Sequence, residues 1–408
     1  WNNAYIQDGI FYYIDNRWES RDNTHYDNVK DFIRIVVDPS DKDHVFAGSW
    51  GRGVAELYQG SMIMLYGEGN SDSALQSIIP NDNAVRIGGL TFDQIGNLWV
   101  SCTGVENLLC VRKPNGAWHG YDFPAIGSTF RVADVMVDQQ GYKWVLLPNE
   151  GILVFDDNGT LGNKTDDQNV HLVSAVGSGN VALDVRSIAE DLDGEIWVGT
   201  NQGVYVFYSP SLVFTNDDYD AQQILVEQDG YFQHLLETEA VTALAVDGAN
   251  RKWLGTENAG VFLMSEDGTT ELQHFTTDNS PLISDNIITI AINHVNGEVF
   301  FGTEKGIISY KSTATAGVLT HTDVYAYPNP VRAGYTGYIA IKGLVTDADV
   351  KITDISGALV YQTKALGGQA VWDGKNFSGE KAHTGIYLVF ATNEDGSQTV
   401  VTKIMMIN

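Results

Sequence analysis

The chain has 408 residues, 43% hydrophobic and 19% charged, with 42 Gly, 9 Pro, 19 Tyr, 16 Phe and 9 Trp. This is too long for one ordinary domain and too apolar for disorder, and the glycine–aromatic balance favours short strands joined by tight turns. Nearly all of the net charge of −28 lies in residues 1–322, with 17 basic against 44 acidic side chains, which argues against nucleic acid as a partner.

No apolar stretch reaches the ~20 residues of a membrane helix, so no transmembrane segment is expected. The sequence opens at Trp1 with neither a methionine nor a signal-peptide pattern and reads as a mature or trimmed product. Asp8–Ser20, DGIFYYIDNRWES, reads as the third and fourth strands of a four-stranded unit lacking its first two. A repeat then begins. Its copies are IVVDPSDKDHVFAGSWGRGVAEL from Ile35, GLTFDQIGNLWVSCTG from Gly89 and DVMVDQQGYKWVLLPNEGILVF from Asp134. SIAEDLDGEIWVGTNQGVYVFY from Ser187, ALAVDGANRKWLGTENAGVFLM from Ala243 and TIAINHVNGEVFFGTEKGIISY from Thr289 follow.

Each copy is an apolar strand ending in Asp or Asn, a Gly/Asn turn, a strand with an aromatic, a second turn and a third strand. The aligned aromatics, Phe46, Trp99, Trp144, Trp197, Trp253 and Phe300, stand 45 to 56 residues apart, the length of one four-stranded propeller blade. Asp and Gly at the first turn (Asp191, Gly194) close a hairpin by accepting backbone hydrogen bonds and permitting positive φ. The aromatic fills the space between adjacent sheets, because a lone blade cannot bury both faces. Cys102 and Cys110 flank a hairpin loop, and their spacing fits either a cross-strand disulfide or two buried thiols.

These repeats resemble the two-component regulator propeller family, whose D-x-x-G-x-[LI]-W-[VIL]-G-T pattern is matched by Asp191–Thr200 with Gly203 following. The copies around Trp99 and Trp144 depart from it, with Ser101-Cys102 and Leu146-Leu147 in place of Gly-Thr. The resemblance implies a β-propeller over residues 1–312. Six and seven blades stay open: the N-terminal strands complete the last blade or belong to a seventh, or the chain is the later part of a longer protein.

Residues 313–322 are small and linker-like. From Asp323 to the end the acid–base balance is nearly even, and alternation with regular turns predicts an Ig-like antiparallel β-sandwich over 323–408. VYAYPNPV, VKITDISGALVY, WDGKNFSGEKAHTGIYLVF and TVVTKIMMIN come in that order. The series resembles the C-terminal sorting domain of type IX secretion cargo, with a Pro-Asn-Pro opening, a [DS]-x-x-G hairpin, W-[DN]-G and G-x-Y, and a short basic-apolar last strand. The resemblance makes Pro328, Asn329, Pro330, Gly385, Tyr387 and Lys403 the candidate residues for translocon recognition. It also implies secretion to the extracellular face of the outer membrane of a Gram-negative bacterium. The final strand departs from the family in carrying a single lysine followed by Met405-Met406.

Signs of chemistry are sparse. The nine histidines are scattered, without HExxH, H-x-H or a Gly-x-Ser-x-Gly elbow, and read as turn or surface residues. Gly177–Ala182 mimics a dinucleotide fingerprint but opens no helix, and Asp191–Glu195 mimics the start of a calcium loop without the remaining ligands. No enzyme activity, cofactor or metal is expected. The two resemblances together imply a binding scaffold of the type IX attachment machinery, working beside translocon or attachment-complex proteins on anionic lipopolysaccharide. Two alternatives remain: surface cargo whose propeller binds glycan or protein, and the periplasmic sensor part of a hybrid two-component system.

Overall fold

The computed structural model describes residues 4–14, 17–127, 131–173, 184–216, 219–228 and 230–407. The repeat copies become antiparallel up-and-down sheets, the blades of a β-propeller, and a β-sandwich follows them. Two compact units divide the chain: Trp1–Glu190 with Gly194–Gln223, and Asp191–Asp193 with Ile224–Asn408.

In the first unit a two-stranded hairpin, Ile10–Ile14 with Arg17–Arg21, precedes four four-stranded blades. The first blade is Phe32–Asp38, Asp41–Ser49, Gly53–Tyr58 and Ser61–Tyr66; the second is Ile87–Phe92, Leu98–Cys102, Asn107–Arg112 and Trp118–Asp122. Asp134–Val137, Lys143–Leu147, Gly151–Asp156 and Gln168–Leu172 make the third, and Val185–Glu190, Ile196–Thr200, Gly203–Phe207 and Gln222–Gln223 the fourth. The second unit holds a small hairpin, Leu225–Gln228 with Tyr231–His234, and two more blades. Val241–Val246, Lys252–Thr256, Val261–Met264 and Glu271–Phe275 form the fifth. The sixth has three strands among the described residues: Ile287–Asn293, Glu298–Thr303 and Gly306–Lys311. Within the first unit the Ile10–Ile14 strand pairs with Arg17–Arg21.

The second-strand aromatic performs one task in blade after blade. Phe46 reaches Phe92 of the second blade, Trp99 meets Phe155 of the third and Trp144 meets Phe207 of the fourth, at ring separations of 5.8, 6.3 and 5.5 Å. In the second unit Trp253 packs on Phe301 and Tyr310 of the sixth blade at 5.6 and 5.9 Å. Each of these tryptophans is fully buried, and removing an indole of this size from water contributes about 4–6 kcal/mol before entropy.

The turn aspartate has a second role, which its position in the turn does not disclose. One carboxylate oxygen accepts the turn's backbone N–H groups, as Asp93 does from Ile95 and Asn97 and Asp138 does from Tyr142. The other accepts the indole N–H six residues on: Trp99 to Asp93 at 3.0 Å, Trp144 to Asp138 at 2.8 Å and Trp253 to Asp247 at 3.1 Å. The aspartate thus fixes both the turn and the core side chain. Burial still pushes the Asp138 carboxyl above its ordinary pKa, against the hydrogen bonds from Trp144 and the turn.

Cys102 and Cys110 are buried free thiols with their sulfurs 3.9 Å apart. The Cys110 thiol is pushed well up in pKa by its contact with Cys102 and by burial, which leaves it a packing residue. Asp191 is engaged by the buried Lys252 at 2.9 Å and Asp193 by Asn250 at 2.8 Å, so the calcium-like motif serves packing. Gly177–Ala182 lies outside the described residues.

The segment after the sixth blade is built into the second unit. Ser312, Ala314 and Thr315 are buried. Arg251 of the fifth blade donates to the hydroxyls of Ser312 and Thr313, and Ala316 N–H donates to His294 O at 2.8 Å. On the sandwich side Gln369 donates to Thr313 O at 2.9 Å, Gly368 N–H to Thr315 O at 3.0 Å and Thr315 N–H to Leu366 O at 3.3 Å. The approach is tight enough to demand glycine at two places: a Cβ at Gly248 or Gly367 would lie 2.0 or 1.9 Å from Thr315 O.

The indole bond can be separated from indole burial. Trp144→Phe keeps most of the apolar volume but strands the Asp138 carboxylate, and is expected to cost about 1–3 kcal/mol. Trp144→Ala opens a cavity as well and is expected to cost about 3–5 kcal/mol. Hydrogen exchange of the third and fourth blades under mild urea measures both.

Candidate functional site

The sandwich is where the sequence motifs meet. One sheet comprises Tyr325–Tyr327, Ile339–Lys342 and Gln369–Trp372; the other runs in the order Leu359–Lys364, Asp349–Asp354, Gly385–Thr392 and Thr399–Met406. Between them Trp372, Ile339, Ile341, Val350, Ile352, Val389, Ile404 and Met406 form a buried core.

Nearly every motif residue is explained by this architecture. Asp354 closes its hairpin by accepting from Ser356 and Ala358 N–H groups at 2.8 and 3.0 Å, with Gly357 at φ +88°. Trp372 sits in the core and donates its indole N–H to Lys375 O at 2.7 Å, while Gly374 turns the chain at φ +75°. Tyr387 packs on Trp372 at 5.5 Å and donates its hydroxyl to His383 O.

The Pro328-Asn329-Pro330 element grips the last strand. Both prolines follow cis peptide bonds. The Asn329 side chain donates to Lys403 O at 2.8 Å and accepts from Met405 N–H at 3.0 Å. Val331 then pairs with Met406 in parallel, exchanging bonds with Met405 O and Ile407 N–H at 2.8 Å each. On the other side of that strand Gly385 lies opposite Met406 and Tyr387 opposite Ile404. All six candidate residues therefore gather around Lys403–Met406, whose backbone is held by the Asn329 side chain and by the ladder through Gly385 and Tyr387. Gly385 has no steric reason for its identity, since a Cβ there would meet nothing within 4 Å. The Lys403 side chain is exposed and forms no ion pair among the described residues.

A second cluster lies in the first unit, at a cleft of about 410 Å³ between the first two blades. Where the second to fifth copies have tryptophan the first has Phe46, so Asp38 gains no indole donor. His44 takes that place. Its Nδ1 lies 3.0 Å from Asp38 and its Nε2 2.8 Å from Glu56. Tyr66 donates to Glu56 at 2.6 Å, and Arg112 reaches Glu56 at 3.4 Å while its guanidinium lies over the rings of Phe46 and Tyr66. Burial and the Glu56 hydrogen bond raise the Tyr66 hydroxyl's pKa. Burial also pushes the Asp38 carboxyl up, but hydrogen bonds from Ser40 and His44 outweigh it and leave it below its ordinary value.

The cleft wall adds Phe92, Gln94, Ile95, Pro39 and Pro114, a mixture of flat apolar faces and planar polar groups. The scattered histidines gave no hint of this site. His44 is a half-buried strand residue rather than a turn or surface one, and the only sequence signal was the missing Trp of its copy.

The family model for the secretion system C-terminal sorting domain matches residues 325–407. The sandwich is such a domain. Among solved structures, PorZ of Porphyromonas gingivalis, an essential bacterial surface component of the type IX secretion system, aligns with a TM-score of 0.70 and 29% identity. That match covers 96% of this chain and 55% of PorZ, so the chain spans about half the length of that relative. The extracellular domain of a putative one-component system of B. thetaiotaomicron matches at TM-score 0.47 and 14% identity, over 91% of this chain and 50% of that one. No curated protein matches the sequence. The sorting domain and the likeness to PorZ make this a secreted cell-surface protein associated with type IX secretion. Among the described residues no helix is long and apolar enough to cross a membrane.

Replacing Asn329 with Ala should free the last strand locally. Exchange of the Met405 amide is expected to rise about five- to tenfold, from the roughly 1 kcal/mol of a lost hydrogen bond, while Lys403→Ala leaves it unchanged.

Proposed function

We propose that this chain is a non-enzymatic surface component of the type IX machinery at the extracellular face of the outer membrane. In this reading it keeps its sorting domain and uses its propeller as a rigid scaffold that assists attachment of cargo to anionic lipopolysaccharide. The observation that carries the reading is the junction. Cleavage of a sorting domain needs an extended, accessible segment, and here Ser312–Ala316 is hydrogen-bonded to the fifth and sixth blades on one side and to the sandwich on the other. Cutting within Ser312–Ala316 would mean pulling buried backbone out of both, and the mostly exposed Val318–Asp323 that follows is pinned to the sandwich by Val318 and Thr322 N–H groups on Leu344 O and Gly343 O. The alignment with PorZ over 96% of this chain supports the same reading.

For lipopolysaccharide the first-unit cleft is the proposed contact. Arg112 supplies a cation that an acidic propeller otherwise offers rarely, and the half-buried Phe92 supplies a flat face for a sugar ring. The same cluster argues against hydrolysis. Both ring nitrogens of His44 are held by carboxylates, so the imidazole has no free nitrogen for a substrate proton.

Two measurements test this. The surface-exposed protein is expected to migrate at full mass and to react with an antibody against residues 325–407; loss of that reactivity would make it ordinary cargo. Arg112→Ala is expected to weaken binding of purified lipopolysaccharide by about tenfold or more, the loss of a charge-assisted hydrogen bond, with the fold intact.

A further inference from the structure

If the sorting motif mostly holds its own domain together, what a partner reads must be what the domain leaves outside. The four-stranded sheet has one face on the core and one in solvent. On such a sheet the solvent face is ordinarily polar. Here the register aligns apolar side chains across it. Ile386 stands opposite Met405, and Phe390 opposite both Val401 and Lys351. Leu388 stands opposite Lys403 and Thr353, and Thr353 opposite Leu359. Ile386, Leu359, Met405, Val401 and Phe390 are 38–57% exposed.

The charges on this face are one-sided. Lys351, Lys364 and Lys403 lie on it, all exposed and, among the described residues, without an ion-pair partner. Asp349 is the only acid among the strand residues of the same face, at its corner beside Lys364 and Thr392. An apolar centre edged by unpaired cations is the anatomy of an interface.

We propose that this face is the surface by which the domain docks on the secretion machinery, and that its partner is a protein presenting an apolar patch edged with carboxylates. The inference rests on the reading of the chain as a type IX-associated protein. A second copy of the chain fits poorly, because a two-fold pairing of this face would set its lysines against lysines. An anionic membrane fits less well than a protein, since three lysines near a surface contribute only about 1 kcal/mol each.

The test uses the full chain in a type IX-competent host, with Phe390→Ser/Val401→Ser, Lys351→Glu/Lys403→Glu, and a deletion of residues 325–407. Both double variants should keep the thermal midpoint and lower the surface-exposed fraction at least tenfold, with the chain held in the periplasm. A photocrosslinker at position 401 in the otherwise unchanged chain should give a protein adduct that disappears with Lys351→Glu/Lys403→Glu. Export of both double variants at the normal level, while the deletion is retained, overturns the docking face and leaves the sorting reading standing. A crosslink only to lipid or to a second copy also overturns it. Normal export of the deletion removes the sorting reading and this proposal with it.

Discussion

The propeller depends on a contact that joins two scales: a buried indole whose N–H is held by the aspartate of its own blade's turn. Asp138 illustrates it, with one oxygen on the turn backbone and the other on Trp144, while the Trp144 ring fills the gap to Phe207 of the next blade. Local turn geometry and inter-blade packing are thereby coupled through one carboxylate. A change to the turn moves the tryptophan, and a change to the tryptophan strands a buried carboxylate. In the second, third and fifth blades, stacking on the next blade is therefore set by pairs of residues six apart in sequence.

This coupling explains why the blades were legible in the sequence. The spacing of Asp, Gly and Trp is short-range, and it records both the hairpin and the face that needs cover, so Trp99, Trp144 and Trp253 could be placed between sheets from their positions alone. What is long-range could not be read. Nothing near Asp38 announces that Glu56 reaches His44, or that Tyr66 and Arg112, from two further strands, converge on Glu56. The small residues of 313–316 look like a spacer because Ser, Thr and Ala are common in loose chain. Their smallness instead permits backbone to run between Gly248 and Gly367 at van der Waals limits. In the sandwich, motif order identified the domain but not what each residue touches: the Asn329 side chain holds the last strand.

The junction and the motif share a physical consequence. A domain whose entry segment is bonded on both sides and whose terminal strand is clipped by Asn329 and Val331 has few low-energy ways to open. Rigidity of that kind suits a part that must keep a fixed position, whereas a detachable tag needs a weak point. Within the second unit Ser312–Ala316 is bonded on both sides, and the mostly exposed Val318–Asp323 is tied to the sandwich through Val318 and Thr322.

Charge completes the argument. The propeller region carries nearly the whole acidity of the chain, while the sandwich is close to balanced. An acidic body discourages adhesion to anionic surfaces and to other copies of itself, leaving contacts to places where the field is locally reversed. Cations stand at two places. Arg112 is folded into a cleft and partly neutralised by Glu56, which suits recognition of a small polar group at close range. Lys351, Lys364 and Lys403 lie open on a flat, half-apolar sheet, which suits a broad surface approached from a distance. One chain thus separates a confined site from an extended one by the same means, placing scarce cations where the fold provides apolar backing.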